Sequence, residues 1–190
     1  ESDVRINDIP TYKELDELLK IAEKFDKTRG IYVIIAIVSR MAISSSSILK
    51  LKLRDISLNK DESFMIIRGS ERKKDRTVAI PKDISDILDR YIKECPYDMT
   101  HSLFFNKRGK PLSLRMLDFY LENMQKDAGV KKLYCLRNIK DRAMIDMVSN
   151  GADIADVSRY TGIDIRRVEL YRGIKLKKCP PELTHIKIVD

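Results

Sequence analysis

A run of apolar residues at positions 31–42 constrains the fold of this 190-residue chain more than any other feature. The run reads IYVIIAIVSRMA, and only Ser39 and Arg40 interrupt it. A segment that is hydrophobic on nearly all sides is either a buried strand or a helix surrounded by other elements, and the length of the run favours the helix. We therefore predict a central helix. The run is too short to span a membrane, which takes about 20 apolar residues.

Capping residues and helical periodicity predict further helices around this centre. Thr11 and Glu14 form a capping box, in which the threonine side chain caps the helix start and the glutamate returns to the cap amide. Further helices are predicted to begin at Ser44, Asp83, Ser113 and Leu136, and two short helices are predicted at 153–160 and 164–171.

One segment of the chain has the character of a sheet. Residues 56–58, 63–68 and 77–80 are short and rich in β-prone side chains, and turns separate them. They predict a small antiparallel meander. The fold class is therefore α+β, mainly helical, with one three-stranded antiparallel sheet.

Composition narrows the possible partners. The hydrophobic fraction of 43% predicts a packed core, and the net charge of +8 favours a polyanion, nucleic acid before a membrane surface. The three cysteines are scattered without a CxxC pair and the two histidines have no close Cys or His neighbour, so we expect reduced thiols, no metal and no cofactor. No targeting segment is visible, and we expect a cytoplasmic protein.

Five stretches of the sequence, taken in order, form a pattern that can be compared with a known family. They are a proline-then-helix opening at 9–25, AISSSSILKLKLRDI at 42–56, FMIIRGSERKKDRTVAIP at 64–81, YCLRNIKDRAMIDMVSNGADIADVSRYTGI at 134–163, and VELYR at 168–172. Together they resemble the catalytic domain of tyrosine recombinases, the family of phage integrases and Xer-type recombinases. The resemblance implies that fold, double-stranded DNA as partner, and metal-free phosphoryl transfer through a 3′-phosphotyrosyl link. In that chemistry, cationic donors neutralise the charge of the transferring phosphate.

The resemblance places the nucleophile at Tyr171; taken alone, a tyrosine at this helical spacing would be an ordinary buried or surface residue. The second arginine of the family falls on Arg137 when the Leu-Arg pair is matched. It falls on Lys140 when the motif is counted back from Gly151 without a gap, and the Arg137 register needs three extra residues in the helix. Arg137 is the first choice and Lys140 the alternative.

Other motif positions have lost their family residue. They are Ser44 for the first arginine, Glu71 for the lysine, Tyr134 for the first histidine in the Arg137 register, and Ile163 for the last histidine or tryptophan. A shift of register at the hairpin tip would instead bring the adjacent Arg72, Lys73 or Lys74 to the lysine position. Arg40, about one turn before Ser44, is a possible replacement. Each lost donor typically costs about 10²–10³ in rate, so cleavage would need compensating residues.

Basic residues near these motifs are predicted to contact the DNA backbone, which gives salt-dependent affinity without sequence readout. They are Arg72, Lys73, Lys74 and Arg76 in the second turn of the sheet, together with Lys140, Arg142, Arg159, Arg166 and Arg167. The expected organisation is a recombinase-like domain at 1–173 and a tail at 174–190. The tail would contact another copy or a recombinase partner, and a DNA-clamp domain would precede residue 1.

Two functions follow from the resemblance. The first is a strand transferase for DNA integration or recombination, typical of mobile genetic elements, or a nicking relative, with Tyr171 as nucleophile. The alternative is a catalytically degenerate member that binds DNA or a recombinase in an architectural or regulatory role. Whether strand cleavage survives the losses at Ser44, Glu71, Tyr134 and Ile163 stays open at the level of sequence. An unrelated helical interaction module is disfavoured, because the motif series spans most of the chain.

Overall fold

The apolar run forms a buried central helix in the computed structural model, which describes residues 6–25, 30–69 and 74–174. This helix, Gly30–Met41, packs against the helices that begin at Tyr12, Lys82 and Leu136. Glu71, Arg72, Lys73 and the tail from residue 175 onward lie outside the described residues. The prediction of a central helix is confirmed.

The described elements follow one another in the order predicted from the sequence. The helices are α1 Tyr12–Phe25, α2 Gly30–Met41, α3 Ser45–Ile48, α4 Lys82–Lys93, α5 Leu114–Asp127, α6 Leu136–Ser149, α7 Ile154–Thr161 and α8 Ile165–Glu169. The strands are β1 Ile56–Ser57, β2 Phe64–Ile67 and β3 Arg76–Ala79, and short 3-10 turns lie at Ile6–Asp8 and Leu53–Asp55.

The strands form an antiparallel sheet in the order β1-β2-β3. Met65 in the middle strand pairs with Ile56 on one side and with Val78 on the other. Met65 and Ile67 are both buried, because alternate side chains of a strand point to the same face. The predicted α+β fold with one small three-stranded sheet is confirmed.

Most of the predicted helix caps are present. The Thr11 amide donates to Glu14 Oε2 at 2.8 Å, and the Glu14 amide donates to Thr11 Oγ1 at 3.2 Å, which is the predicted capping box. Ser44 and Ser113 cap α3 and α5 through their hydroxyls.

The cap predicted at Asp83 is wrong. Helix α4 begins at Lys82, and its cap position is Pro81, two residues before Asp83. Asp83 lies in the first turn, where its carboxylate accepts a 2.6 Å hydrogen bond from Arg40. A carboxylate in the first turn of a helix is favourable without being the cap, because it faces the positive end of the helix dipole.

Helix α6 joins the two apolar clusters of the domain. The larger cluster contains the buried faces of α1, α2, α4, α5 and the sheet, together with Ile139 of α6. The smaller cluster lies among α6, α7 and α8, and Met144 and Tyr171 belong to it. Residues on successive turns of α6 therefore face different environments, and this arrangement positions the candidate site.

Candidate functional site

Tyr171 follows α8 and is buried, with 3% of its surface exposed. Its hydroxyl donates a 2.7 Å hydrogen bond to Oδ1 of Asp141 on α6. Burial, followed by this hydrogen bond and the charge of Asp141, raises the pKa of the Tyr171 phenol well above its ordinary value. At neutral pH the phenol is therefore uncharged and held by a carboxylate.

Arg137 shares this carboxylate with Tyr171. It lies one helical turn before Asp141, with its Nε 3.9 Å from Asp141 Oδ2, and 47% of its side-chain surface is exposed. The positive charges of Arg167 and Arg137 oppose the rise in the Tyr171 pKa, so both charges act on the hydroxyl. We call this cluster the open trio: Tyr171, Asp141 and Arg137.

The structure keeps both candidates for the second arginine on one helix. Lys140 is partly buried, and this burial lowers its pKa, while the charge of Asp141 raises it. Arg137 is linked to Tyr171 through Asp141. The structure therefore brings Arg137 into the tyrosine cluster and places Lys140 beside Asp141 on the same helix.

Residues at the altered motif positions have other contacts. The Ser44 hydroxyl accepts from the Ser47 amide at 3.3 Å as the cap of α3. Tyr134 is buried, and this burial, followed by the influence of Glu14, raises the pKa of its phenol. Ile163 packs against the smaller apolar cluster. Among the described residues, these three positions therefore serve capping and packing.

A buried glutamine fixes the entry to α6, and sequence reasoning missed it. Gln125 accepts from the Tyr134 amide and donates to the Tyr134 carbonyl, both at 2.8 Å. This two-point contact imitates a backbone pair and holds a residue just before the helix that carries Arg137. Gln125 lies four residues after the buried Leu121, so helical spacing places it on the buried face of α5 and could have identified it.

A second cluster of the same composition lies further along α6. We call it the closed trio: Tyr12, Asp146 and Arg142. Arg142 is 4% exposed, and its Nε donates to both Asp146 oxygens at 3.1 Å. Its Nη1 donates to the Pro10 carbonyl at 3.1 Å, and its Cζ lies 3.6 Å from the Tyr12 ring centroid. The Tyr12 hydroxyl donates to Asp146 at 2.6 Å.

The closed trio corrects the prediction that Arg142 binds DNA. Its guanidinium points into the protein, where it compensates the buried Asp146 carboxylate, whose pKa is raised by burial and lowered by Tyr12 and Arg142. A phosphate cannot reach an arginine that is covered in this way.

Arg76 is also engaged within the protein. Its guanidinium donates to the carbonyls of Tyr160 at 3.2 Å and Thr161 at 2.7 Å, at the end of α7, and burial lowers its pKa. It lies against Gly162, which has φ +73°, and a Cβ added there would be 2.6 Å from the arginine Cζ. Arg76 therefore caps a helix, a place where a cation is favourable.

The remaining predicted DNA contacts lie at the surface or near it. Lys74 is exposed, and Arg159 and Arg166 are exposed in surface ion pairs with Asp156 and Asp164. Surface pairs of this kind are worth little, so a phosphate can replace the carboxylate at small cost. Arg40 pairs with Asp83, and its positive charge makes a small contribution that lowers the pKa of Asp146 in the closed trio.

Within the described ranges, no group of three or more His, Cys, Asp or Glu side chains is arranged to hold a metal ion. None of the helices described combines enough length and hydrophobicity to cross a membrane.

Comparison with known proteins identifies the fold. The model of the phage integrase family matches residues 11–174. The chain belongs to the phage integrase family. Tyrosine recombinase XerA of Pyrococcus furiosus is 25% identical over 185 residues, which are 95% of this chain, and the Pyrococcus horikoshii XerA is 24% identical over 92% of it. The chain spans 62% and 61% of the lengths of these two relatives.

Solved structures of the family share the fold. The XerA recombinase has a TM-score of 0.72 at 18% identity, and the match covers 92% of this chain and 62% of that one. XerH bound to its difH substrate before cleavage has a TM-score of 0.71 at 19% identity, with 91% and 52% covered. A lambda integrase dimer bound to a COC′ core site has a TM-score of 0.69 at 15% identity, with 95% and 53% covered. The resemblance to the tyrosine recombinase catalytic domain is confirmed.

Proposed function

We propose that this protein binds duplex DNA in recombination or integration and that Tyr171 attacks a phosphodiester to form a 3′-phosphotyrosyl link. The observation that carries the proposal is the open trio. The Tyr171 hydroxyl lies 2.7 Å from Asp141, and the other oxygen of Asp141 lies 3.9 Å from the half-exposed Arg137. A phenol and a phosphate-binding cation therefore lie around one anionic group.

The chemistry of the site suits a phosphate. A guanidinium can contact two phosphate oxygens at once and stabilise the charge that develops on them. Arg137 and Arg167 both act electrostatically on the Tyr171 hydroxyl. Relatives of the same fold, XerH and lambda integrase, have been solved bound to DNA, which supports DNA as the partner.

A second candidate is a DNA-binding member that does not cut. Two observations favour it. Tyr171 is 3% exposed, so a phosphate cannot reach its hydroxyl in the DNA-free structure. At the first-arginine position, the Ser44 hydroxyl caps a helix and carries no positive charge. This candidate requires salt-dependent DNA binding that is unchanged by loss of the Tyr171 hydroxyl.

Capture of covalent complexes from cells separates the two candidates, because every DNA site in the cell is sampled at once. Cells expressing the protein are lysed in detergent, and the DNA bonded to protein is precipitated and sequenced. The matched pair Tyr171→Phe and Tyr12→Phe is compared, since each change removes one phenol that bonds an aspartate of α6. We expect a specific adduct that is lost in Tyr171→Phe and kept in Tyr12→Phe. An adduct that persists in Tyr171→Phe, or DNA binding with no adduct at all, would reject the cleavage proposal.

A further inference from the structure

The open trio shows what holds Tyr171 when DNA is absent. Asp141 is 6% exposed, and its two oxygens face the two groups that the proposed reaction needs. One oxygen accepts from the Tyr171 hydroxyl, and the other lies near Arg137. We propose that the Asp141 carboxylate is an internal competitor of the DNA phosphate, a positioning residue that restrains Tyr171 and Arg137 until DNA takes its place. This inference rests on the proposed function of Tyr171.

The position of the phenol requires a release step. Tyr171 packs in the smaller apolar cluster with Ile9, Met144 and Val168, and its hydroxyl is turned toward α6. In-line attack requires the hydroxyl oxygen next to phosphorus. A carboxylate 2.7 Å away holds the hydroxyl and repels a phosphate by its negative charge. The hydroxyl must therefore leave Asp141 before it can attack.

Arg137 lies further from Asp141 than the phenol does. Its side chain is half exposed and lines a groove of about 660 Å³, whose lining also includes Ser45, Asn138 and the acidic side chains of Asp8, Asp118 and Glu122. The 3.9 Å separation from Asp141 is a loose ion pair, longer than a charge-assisted hydrogen bond of about 2.7–2.9 Å. A phosphate that reaches the exposed side of the guanidinium can form the tighter, two-point contact with it. Carboxylate and phosphate thus compete for Arg137 as they do for the phenol.

The closed trio differs from the open trio in the exposure of its arginine and in the distance between arginine and aspartate. There the arginine is 4% exposed and donates to both carboxylate oxygens at 3.1 Å. A further nitrogen of its guanidinium donates to the Pro10 carbonyl. No DNA phosphate can replace that carboxylate. The same three residue types are therefore fixed in one place and exchangeable in the other.

The restraint can be measured without DNA. Tyrosines of the folded protein are nitrated with tetranitromethane, and each site is quantified by peptide mass spectrometry. We expect Asp141→Asn to raise Tyr171 nitration roughly ten- to a hundredfold, the value of a hydrogen bond to a charged group. Tyr12 in the same sample is the internal standard. Equal Tyr171 nitration in the wild type and Asp141→Asn would overturn the inference.

Charge and folding are controlled separately. Asp89→Asn removes the same charge from a surface pair with Lys93 on α4, and it should leave Tyr171 nitration unchanged. If Asp141→Asn does not fold, Asp141→Ala removes the acceptor without an amide, and circular dichroism shows which variant retains the native helices. A rise that also occurs in Asp89→Asn would count against Asp141 as the restraint.

Adduct formation then tests the competition itself. On a DNA site recovered by covalent capture, we expect Asp141→Asn to form the Tyr171 adduct about tenfold or more faster than the wild type, with Asp89→Asn at the wild-type rate. A slower adduct in Asp141→Asn would make Asp141 a proton acceptor in the reaction and overturn the inference. If nitration rises but neither protein forms an adduct, the cleavage proposal fails while the restraint on Tyr171 stands.

Discussion

The open and closed trios both place an arginine and an aspartate on α6 and a tyrosine against them, with opposite outcomes. In the closed trio the arginine is 4% exposed and bonds both oxygens of its aspartate. In the open trio the arginine is half exposed and only approaches its aspartate. Composition and the Arg–Asp spacing are equal, so the neighbouring elements decide the difference.

Those neighbours are visible in the contacts of each arginine. The N-terminal lead-in crosses the closed trio, and the Pro10 carbonyl and the Tyr12 ring cover Arg142. Arg137 lies in the first turn of α6 and lines an open groove. A covered arginine stabilises the fold, whereas an uncovered one can bind an external anion.

A substitution that breaks the closed trio is expected to have the largest effect on stability. Arg142→Ala leaves Asp146 as a buried carboxylate that has lost its cation, which typically costs about 3–5 kcal/mol. Arg137→Ala removes a half-exposed arginine and should cost under about 1 kcal/mol. Urea unfolding of both variants measures the two free energies. Equal losses would show that the trios do not differ in the way described.

For cleavage, Arg137 is expected to matter although its contribution to stability is small. If Arg137 donates to the transferring phosphate as proposed, Arg137→Ala should slow adduct formation by about 10²–10³. Single-turnover rates on a captured DNA site measure the effect, with Arg54→Ala, an exposed arginine next to β1, as the control. An unchanged rate in Arg137→Ala, with a large loss in Lys140→Ala, would move the second-arginine role to Lys140.

The phenol of the closed trio, Tyr12, should make the stability of the protein depend on pH in the alkaline range. Burial, followed by the hydrogen bond to Asp146, raises the pKa of Tyr12 to about 12. A raised pKa stabilises the fold fully below the unfolded value of about 10, and this stability is lost as pH rises through the folded value. The free energy of unfolding should therefore fall by roughly 1–2 kcal/mol more in the wild type than in Tyr12→Phe between about pH 9.5 and about pH 12. Parallel pH profiles would contradict the raised pKa.

Loss of a third arginine, Arg76, should cost an amount of stability between those of Arg137 and Arg142. Arg76→Ala removes two hydrogen bonds to the end of α7, and Gly162→Ala displaces the guanidinium and strains a residue at φ +73°. Each change should cost about 1–2 kcal/mol. The double variant should cost less than the sum, because both changes disrupt one contact. Strictly additive losses in thermal unfolding would show that Arg76 and Gly162 act independently.

The fold could be predicted from the sequence, and the site only in part. The run at 31–42, the Thr11 capping box and the three short strands all formed as predicted, because burial and capping are local properties. The roles of Arg142 and Arg76 were not predictable. A basic side chain has the same helical or strand spacing whether it faces DNA, a buried aspartate or a helix end.

Asp141 was missed for a similar reason. The sequence RNIKDRAMID contains two Arg–Asp pairs at i, i+4, which is a pattern typical of exposed helix faces. Only the tertiary fold brings Tyr171 to the first pair and Tyr12 to the second. These contacts join residues 30 and 134 positions apart in the chain, beyond the reach of any local pattern.

The identity of the residue bonded to DNA tests the proposed role of Tyr171 most directly. Captured adducts are digested with nuclease and protease, and the peptide that carries a nucleotide remnant is sequenced by mass spectrometry. We predict the remnant on Tyr171 alone, within the segment that follows α8. A remnant on another residue, or bound DNA that leaves every peptide unmodified, would contradict that role.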